Sequence, residues 1–131
     1  MYGLASFDLK RDGPVVIEVP PSTLGGINDL WQHAIADIGL TGVDKGGKFL
    51  LLPPDHTGRE PDGYLVVKCS TYCITVGVRG FQVDSKPDKA VALVKTTRAY
   101  PLAQADNPPA MTFVNGSHVE IDTLFSDDAF L

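Results

Sequence analysis

The sequence has no apolar run long enough to cross a membrane as a helix. Its longest apolar stretches, Phe49-Leu50-Leu51-Leu52 and Ile74-Thr75-Val76-Gly77-Val78, are strand-sized. Membrane insertion is therefore not expected. A basic stripe is lacking too. The 11 Lys and Arg residues are scattered among 16 Asp and Glu, for a net charge of −5. A nucleic-acid backbone is met by clustered cations, so nucleic acid is not an expected partner. Cysteine and histidine are scarce, at two and three residues, with no four-ligand spacing. We expect no metal and no other cofactor. The start, Met1 to Asp8, has no positive n-region and carries an early Asp, unlike a signal peptide.

The common catalytic signatures are missing as well. Gly25-Gly26 and Gly46-Gly47-Lys48 are glycine-rich, but neither has the strand, spacing and following helix of a phosphate cradle. A flexible loop is the simpler reading of both. No serine sits in a Gly-x-Ser-x-Gly elbow. Cys69 or Cys73 can be combined on paper with His33, His56 or His118, yet the three histidines share no spacing. Asp127-Asp128 lie in a terminal stretch, where adjacent carboxylates are more often solvated than catalytic.

What is present suits one β-rich domain over residues 1–131. Hydrophobic residues make up 44% and charged residues 21%, a balance that opposes disorder. Glycine (13) and proline (10) punctuate the whole chain, as short strands joined by turns require. Residues 3–9 alternate roughly, Asp12-Gly13 signals a turn, and Val15-Val16-Ile17-Glu18-Val19 is β-branched. This predicts a first hairpin, with Asp8 and Glu18 on its two arms. Residues 22–39 are ambiguous. Leu30, Trp31, Ala34, Ile35 and Ile38 recur at helical spacing with Asn28 as a cap, but a buried strand also fits. Lys48 to Leu52 reads as a buried strand.

Tyr64 to Cys69 and Cys73 to Arg79 read as a second hairpin around Ser70-Thr71-Tyr72. Its turn would set Cys69 opposite Cys73 and permit a disulfide; two free thiols packed as small hydrophobes is the other reading. Ser85-Lys86-Pro87-Asp88 opens a helix near 87–99, with Ala90, Leu93, Val94 and Thr97 on one face and Pro101 beyond its end. Met111 to Val114 is a candidate last strand. The fold expected is mainly β (α+β): antiparallel hairpins in a twisted sheet or sandwich-like module with that one helix.

The ordered segments resemble the bacterial domain of unknown function family 1254. The stretches that carry the resemblance are Tyr2 through Leu9, Gly13 through Pro20, Gly47 through Pro54, Ser70-Thr71-Tyr72, Pro87-Asp88 and Tyr100-Pro101-Leu102. The resemblance implies a longer parent protein. An Asn/Asp/Thr-rich motif would precede Tyr2, and a second β-rich domain of the 1214 family would follow. It further implies that the chain is a fragment or shortened product, in a periplasmic or other exported setting. Cys69 and Cys73 depart from the family pattern, so a family-wide disulfide is not implied.

Two functional expectations follow. One is a non-catalytic structural or interaction module, partnered by itself as a homo-oligomer or by the C-terminal domain. The other is half of an interdomain ligand or enzyme site, with Trp31, His33, Tyr64 and Arg79 as its rim. Arg79, at the end of an apolar strand, could also pair with an internal carboxylate.

Overall fold

The computed structural model describes residues 1–42, 45–82 and 86–117. Among the described residues eight strands form two four-stranded sheets. The first has the order β1-β7-β3-β4 and the second β6-β5-β2-β8. The strands are β1 (Tyr2–Asp8), β2 (Val15–Val19), β3 (Thr23–Asp29), β4 (Ala34–Gly39), β5 (Gly47–Leu52), β6 (Leu65–Lys68), β7 (Cys73–Gly80) and β8 (Arg98–Pro101). All pairings are antiparallel except β5 with β6. Among the described residues no helix is long and apolar enough to cross a membrane.

The inner faces of the two sheets meet in a core. Val15, Ile17, Val19, Phe49 and Leu51 from the second sheet pack with Ile27, Ile38, Ile74, Val76 and Val78 from the first. Strand β7 shows why: Ile74, Val76 and Val78 are buried while Cys73 and Arg79 are exposed, the period of two expected of a half-buried strand. The second sheet is also covered on its outer face. There Val16, Leu50, Leu52 and Tyr100 form a smaller cluster with Tyr64, Val66, Leu102 and Ala105.

Both expected hairpins through residues 3–19 and 64–79 are instead crossings between sheets. After β1 the chain makes a single helical turn, α1 (Leu9–Asp12). The Asp8 carboxylate accepts from the N–H groups of Lys10 (3.0 Å) and Arg11 (3.3 Å) and caps it. Gly13, at φ 69°, closes the turn by donating to the Leu9 carbonyl. The positive-φ chemistry of Gly13 was legible, but it serves a helix end rather than a hairpin. Leu9 is buried in the core, so β2 emerges in the opposite sheet. Asp8 and Glu18 therefore lie on different sheets and do not form a pair.

The second crossing runs through Ser70-Thr71-Tyr72. Strand β6 pairs in parallel with β5, while β7 lies between β1 and β3. The connection 53–64 between β5 and β6 has the length of about a dozen residues that a parallel crossover needs. Side chains hold the corner. The Ser70 hydroxyl donates to Asp29 (3.0 Å), and Thr71 Oγ1 accepts from Leu30 N–H (3.1 Å) while donating to the Cys73 carbonyl (2.8 Å). A three-residue gap suits both a hairpin and an arch; these long-range partners select the arch.

Residues 23–39 form an antiparallel hairpin, not a helix. Gly25 faces the carbonyl of Gly77 so closely that a Cβ there would collide with it. Asn28 sits within β3 beside a bulge and caps nothing. The helix α2 (Pro87–Val94) begins where expected, with Lys86 as its first flanking residue; Ser85 lies outside the described residues. It ends earlier than expected. Arg98 to Pro101 pair with β2 instead, and Thr97 donates its N–H to the Val94 carbonyl to close the last turn. Tertiary pairing thus overrides local helical pattern. Helix α2 packs Ala90 and Val94 against β1 and β7. A Cβ on Gly3 would sit 2.6 Å from Val94 Cγ1, and one on Gly80 2.8 Å from the Ala90 carbonyl oxygen. The residues Met111 to Val114 are irregular rather than a strand.

Candidate functional site

Strand β1 borders the first sheet and β8 the second, and both line an apolar cleft of about 690 Å³. The inward positions of β1 are Gly3, Ala5 and Phe7, in register with Val78, Val76 and Ile74. On β8 the inward residue is Ala99, opposite Ile17. Two small side chains and a glycine at this end leave space that larger residues fill elsewhere in the core. Val91 and Val94 of α2 form one end, and the segment 111–117 forms another wall. Met111 Sδ accepts the edge N–H of Ala99 at 2.9 Å, which anchors that segment to β8. Lys95 and Thr97 also line the cleft. The Thr97 Oγ1 is buried without a hydrogen-bond partner. Such an orphaned hydroxyl is uncommon in a folded protein.

The outer face of the second sheet holds a polar row beside its small apolar cluster. Arg98, Glu18 and Lys48 are adjacent on β8, β2 and β5. Glu18 accepts from the Tyr100 hydroxyl at 2.6 Å and lies 3.1 Å from Lys48 Nζ. The Tyr100 hydrogen bond, with Lys48, holds the Glu18 carboxyl below its ordinary value against the opposing effect of burial. Burial, followed by the same bond to Glu18, pushes the Tyr100 hydroxyl up to about 12. At neutral pH this is an ionised acceptor held by a neutral donor. It is a structural clasp.

The four residues expected to share a rim are dispersed. Trp31 and His33 lie in the β3–β4 turn, and both are exposed. Asp29 organises that turn: its Oδ1 accepts from the N–H groups of Trp31 (2.8 Å) and His33 (2.9 Å). The His33 ring lies 3.4 Å from Asp29 Oδ2. Burial pushes the Asp29 carboxyl up, but these N–H donors and Ser70 outweigh it and leave it below its ordinary value. Arg79 is at the other end of the sheet. It pairs with Leu24, whereas Asp29 pairs with Ile74, so about 17 Å of β7 separates them at the usual strand rise. Tyr64 packs on the outer cluster of the second sheet. No single rim contains all four.

Arg79 has a different setting from the internal ion pair that was expected. Its guanidinium stacks over Tyr2 (5.3 Å) and Phe81 (5.7 Å), and no carboxylate among the described residues lies within ion-pair distance. Both cysteines are free, with Cys69 buried and Cys73 exposed, because the sheet crossing replaces the hairpin that would have set them face to face. Burial raises the Cys69 thiol to about 11. His56, in the 53–64 connection, is half-buried, and its Nε2 has no partner. His118, Asp127 and Asp128 lie outside the described residues. Among the described residues no three His, Cys, Asp or Glu side chains converge on a common point.

The cleft residues were not singled out from sequence. A partial signal existed in the alternation of β1, which places Gly3, Ala5 and Phe7 on one face. Lys95, Thr97 and Ala99 give no such signal, since the local pattern of their stretch is helical.

Comparison with known proteins agrees with the fold. The chain is similar to the crystal structure of the VPA0106 protein from Vibrio parahaemolyticus, with a TM-score of 0.69 and 18% sequence identity. The match covers 90% of this chain and 33% of that one, so the chain spans about a third of the length of that protein. No curated protein matches. Residues 1–102 match the family described as protein of unknown function DUF1254. With most of its length matched, and the two-sheet architecture that accompanies the match, the chain belongs to the DUF1254 family.

Proposed function

We propose that this chain is a non-catalytic packing module, docking through the outer face of its first sheet onto a second domain or another copy. The observation behind this reading is the unequal cover of the two sheets. On the second sheet the outer face is closed over by Tyr64, Leu102 and Ala105. On the first, Tyr2 is 64% and Leu4 74% exposed, next to exposed Phe81 and the stacked Arg79. Large apolar side chains grouped on one face mark interaction surfaces, and an arginine among aromatics suits an interface centre. The Vibrio neighbour has room for further domains, since this fold occupies a third of it. An envelope setting belongs to the same reading and rests on the resemblance to exported proteins.

Sedimentation velocity over a hundredfold concentration range tests the surface. The chain should self-associate, and Leu4→Lys should return it to monomer without loss of β-sheet signal. A wild-type chain that stays monomeric, and that shows no Leu4-dependent binding to an added downstream domain of its parent, would defeat the proposal.

A further inference from the structure

We infer that the cleft between β1 and β8 is a binding site for a small amphipathic carboxylate, with its apolar body between the sheets and its head group at Lys95 and Thr97. The volume, about 690 Å³, falls within the range of roughly 300–1,000 Å³ typical of small-molecule sites. Its walls are those of such a site: Phe7, Ile17, Val76 and Val91 supply apolar surface. The space is built in by sequence, because Ala5 and Ala99 occupy inward positions where the neighbouring strands carry Val76 and Ile17. A closed core would fill those positions with branched residues.

Two polar groups set the ligand chemistry. Lys95, an exposed residue, is the one charged side chain that the described residues contribute to the cleft, whose lining also includes Met1 with its α-ammonium, in a chain of net charge −5. It favours a single anionic group over a cationic or neutral one. The Thr97 hydroxyl is buried and unpaired. Rotation about its Cβ–Oγ1 bond lets it donate to a carboxylate in the cleft and so acquire the partner it lacks. An apolar body with one carboxylate meets both conditions. Tyr2 and Leu4 of the proposed packing face also line the cleft, but the ligand reading rests on Ala5, Ala99, Lys95 and Thr97, and calorimetry with a small ligand tests it apart from self-association.

Decanoate is a suitable probe, with decanol and decylammonium as matched controls in isothermal titration calorimetry. Saturable one-to-one binding of decanoate is expected, with decylammonium at least tenfold weaker. Ala99→Leu, which fills the cleft, should abolish binding while leaving the thermal midpoint unchanged or raised. Ala5→Leu serves the same purpose if the first variant does not fold. Lys95→Gln should weaken decanoate about tenfold and leave decanol unaffected. Thr97→Val should also weaken decanoate, and Thr97→Ser should restore it. Absence of saturable decanoate binding overturns the inference. So does binding that survives both cleft-filling variants, or equal affinity for decanoate and decylammonium.

Discussion

Replacing Leu50 with Ala probes the difference between the two outer faces. Leu50 is fully buried on the outer side of the second sheet, in contact with a cluster of Val16, Leu52 and Tyr100. The change removes three carbons, and at ~0.8 kcal/mol per buried methylene that is about 2.4 kcal/mol of lost transfer energy. A residual cavity adds to this, by about 24 cal/mol per Å³ left unfilled. The outer cluster is one layer thick, so Tyr64 and Leu102 can relax inward and keep the cavity term small. We expect a total near 3 kcal/mol, at the low end of the range for buried Leu→Ala changes. Leu4→Ala on the first sheet is the matched control. Leu4 is 74% exposed in the single chain, so at concentrations too low for self-association its loss should change stability by no more than about 0.5 kcal/mol.

Urea unfolding followed by far-ultraviolet circular dichroism measures both. Trp31 fluorescence is a poor reporter, because that side chain is exposed in a turn. With a slope of about 2 kcal/mol per molar urea, Leu50→Ala should lower the midpoint by roughly 1.5 M at unchanged slope. A loss below about 1 kcal/mol for Leu50→Ala would show that the outer cluster is not a packed core. Under the same dilute conditions, a loss for Leu4→Ala as large as that for Leu50→Ala would show that Leu4 is packed within the single chain.

Tyr100→Phe should cost roughly 1.5–3 kcal/mol at pH 7, the usual net value of a hydrogen bond to a charged group, and should return the Glu18 carboxyl toward its ordinary value in a carbon-detected titration. The pH window follows from the two directions. Glu18 is lowered, so its contribution is present above the ordinary carboxylate pKa and lost as pH falls through the lowered value. Tyr100 is raised, so its contribution is present below pH ~10 and lost as pH rises through about 12. A Tyr100→Phe variant with wild-type stability across that window would refute the clasp. Iodoacetamide at pH 8 should modify exposed Cys73 in the native protein and spare Cys69 until the chain unfolds, as mass spectrometry of tryptic peptides can read. Equal labelling of the two, or a native Cys69–Cys73 disulfide, would contradict the sheet crossing. Acidification through the lowered Asp29 value should speed amide exchange at Trp31 and His33 before the core opens, since both N–H groups are held by that carboxylate. Exchange there that is insensitive to pH, after correction for intrinsic rates, would dismiss Asp29 as the organiser of the turn.

The β-rich class, most strand cores and the start of α2 are legible along the chain. Those features depend on neighbours in the chain. Alternation places Ile74, Val76 and Val78 on one face, β-branching makes Val15 to Val19 extended, and Pro87 with Asp88 suits a helix start. The sequence did not determine which strands pair. A short link after β1 and another after β6 were each compatible with a hairpin, and both proved to be crossings between sheets. The deciding contacts span long separations: Ser70 to Asp29, Leu30 to Thr71, and Leu9 in the core. Similarly, Arg98 to Pro101 are strand rather than helix only because β2 offers a partner. The cleft belongs to this second category. Ala5 and Ala99 are unremarkable alone, and become the floor of a site only when β1 and β8 border the same gap. Local propensity reads along the chain, whereas pairing and enclosed space are properties of residues brought together from far apart in it.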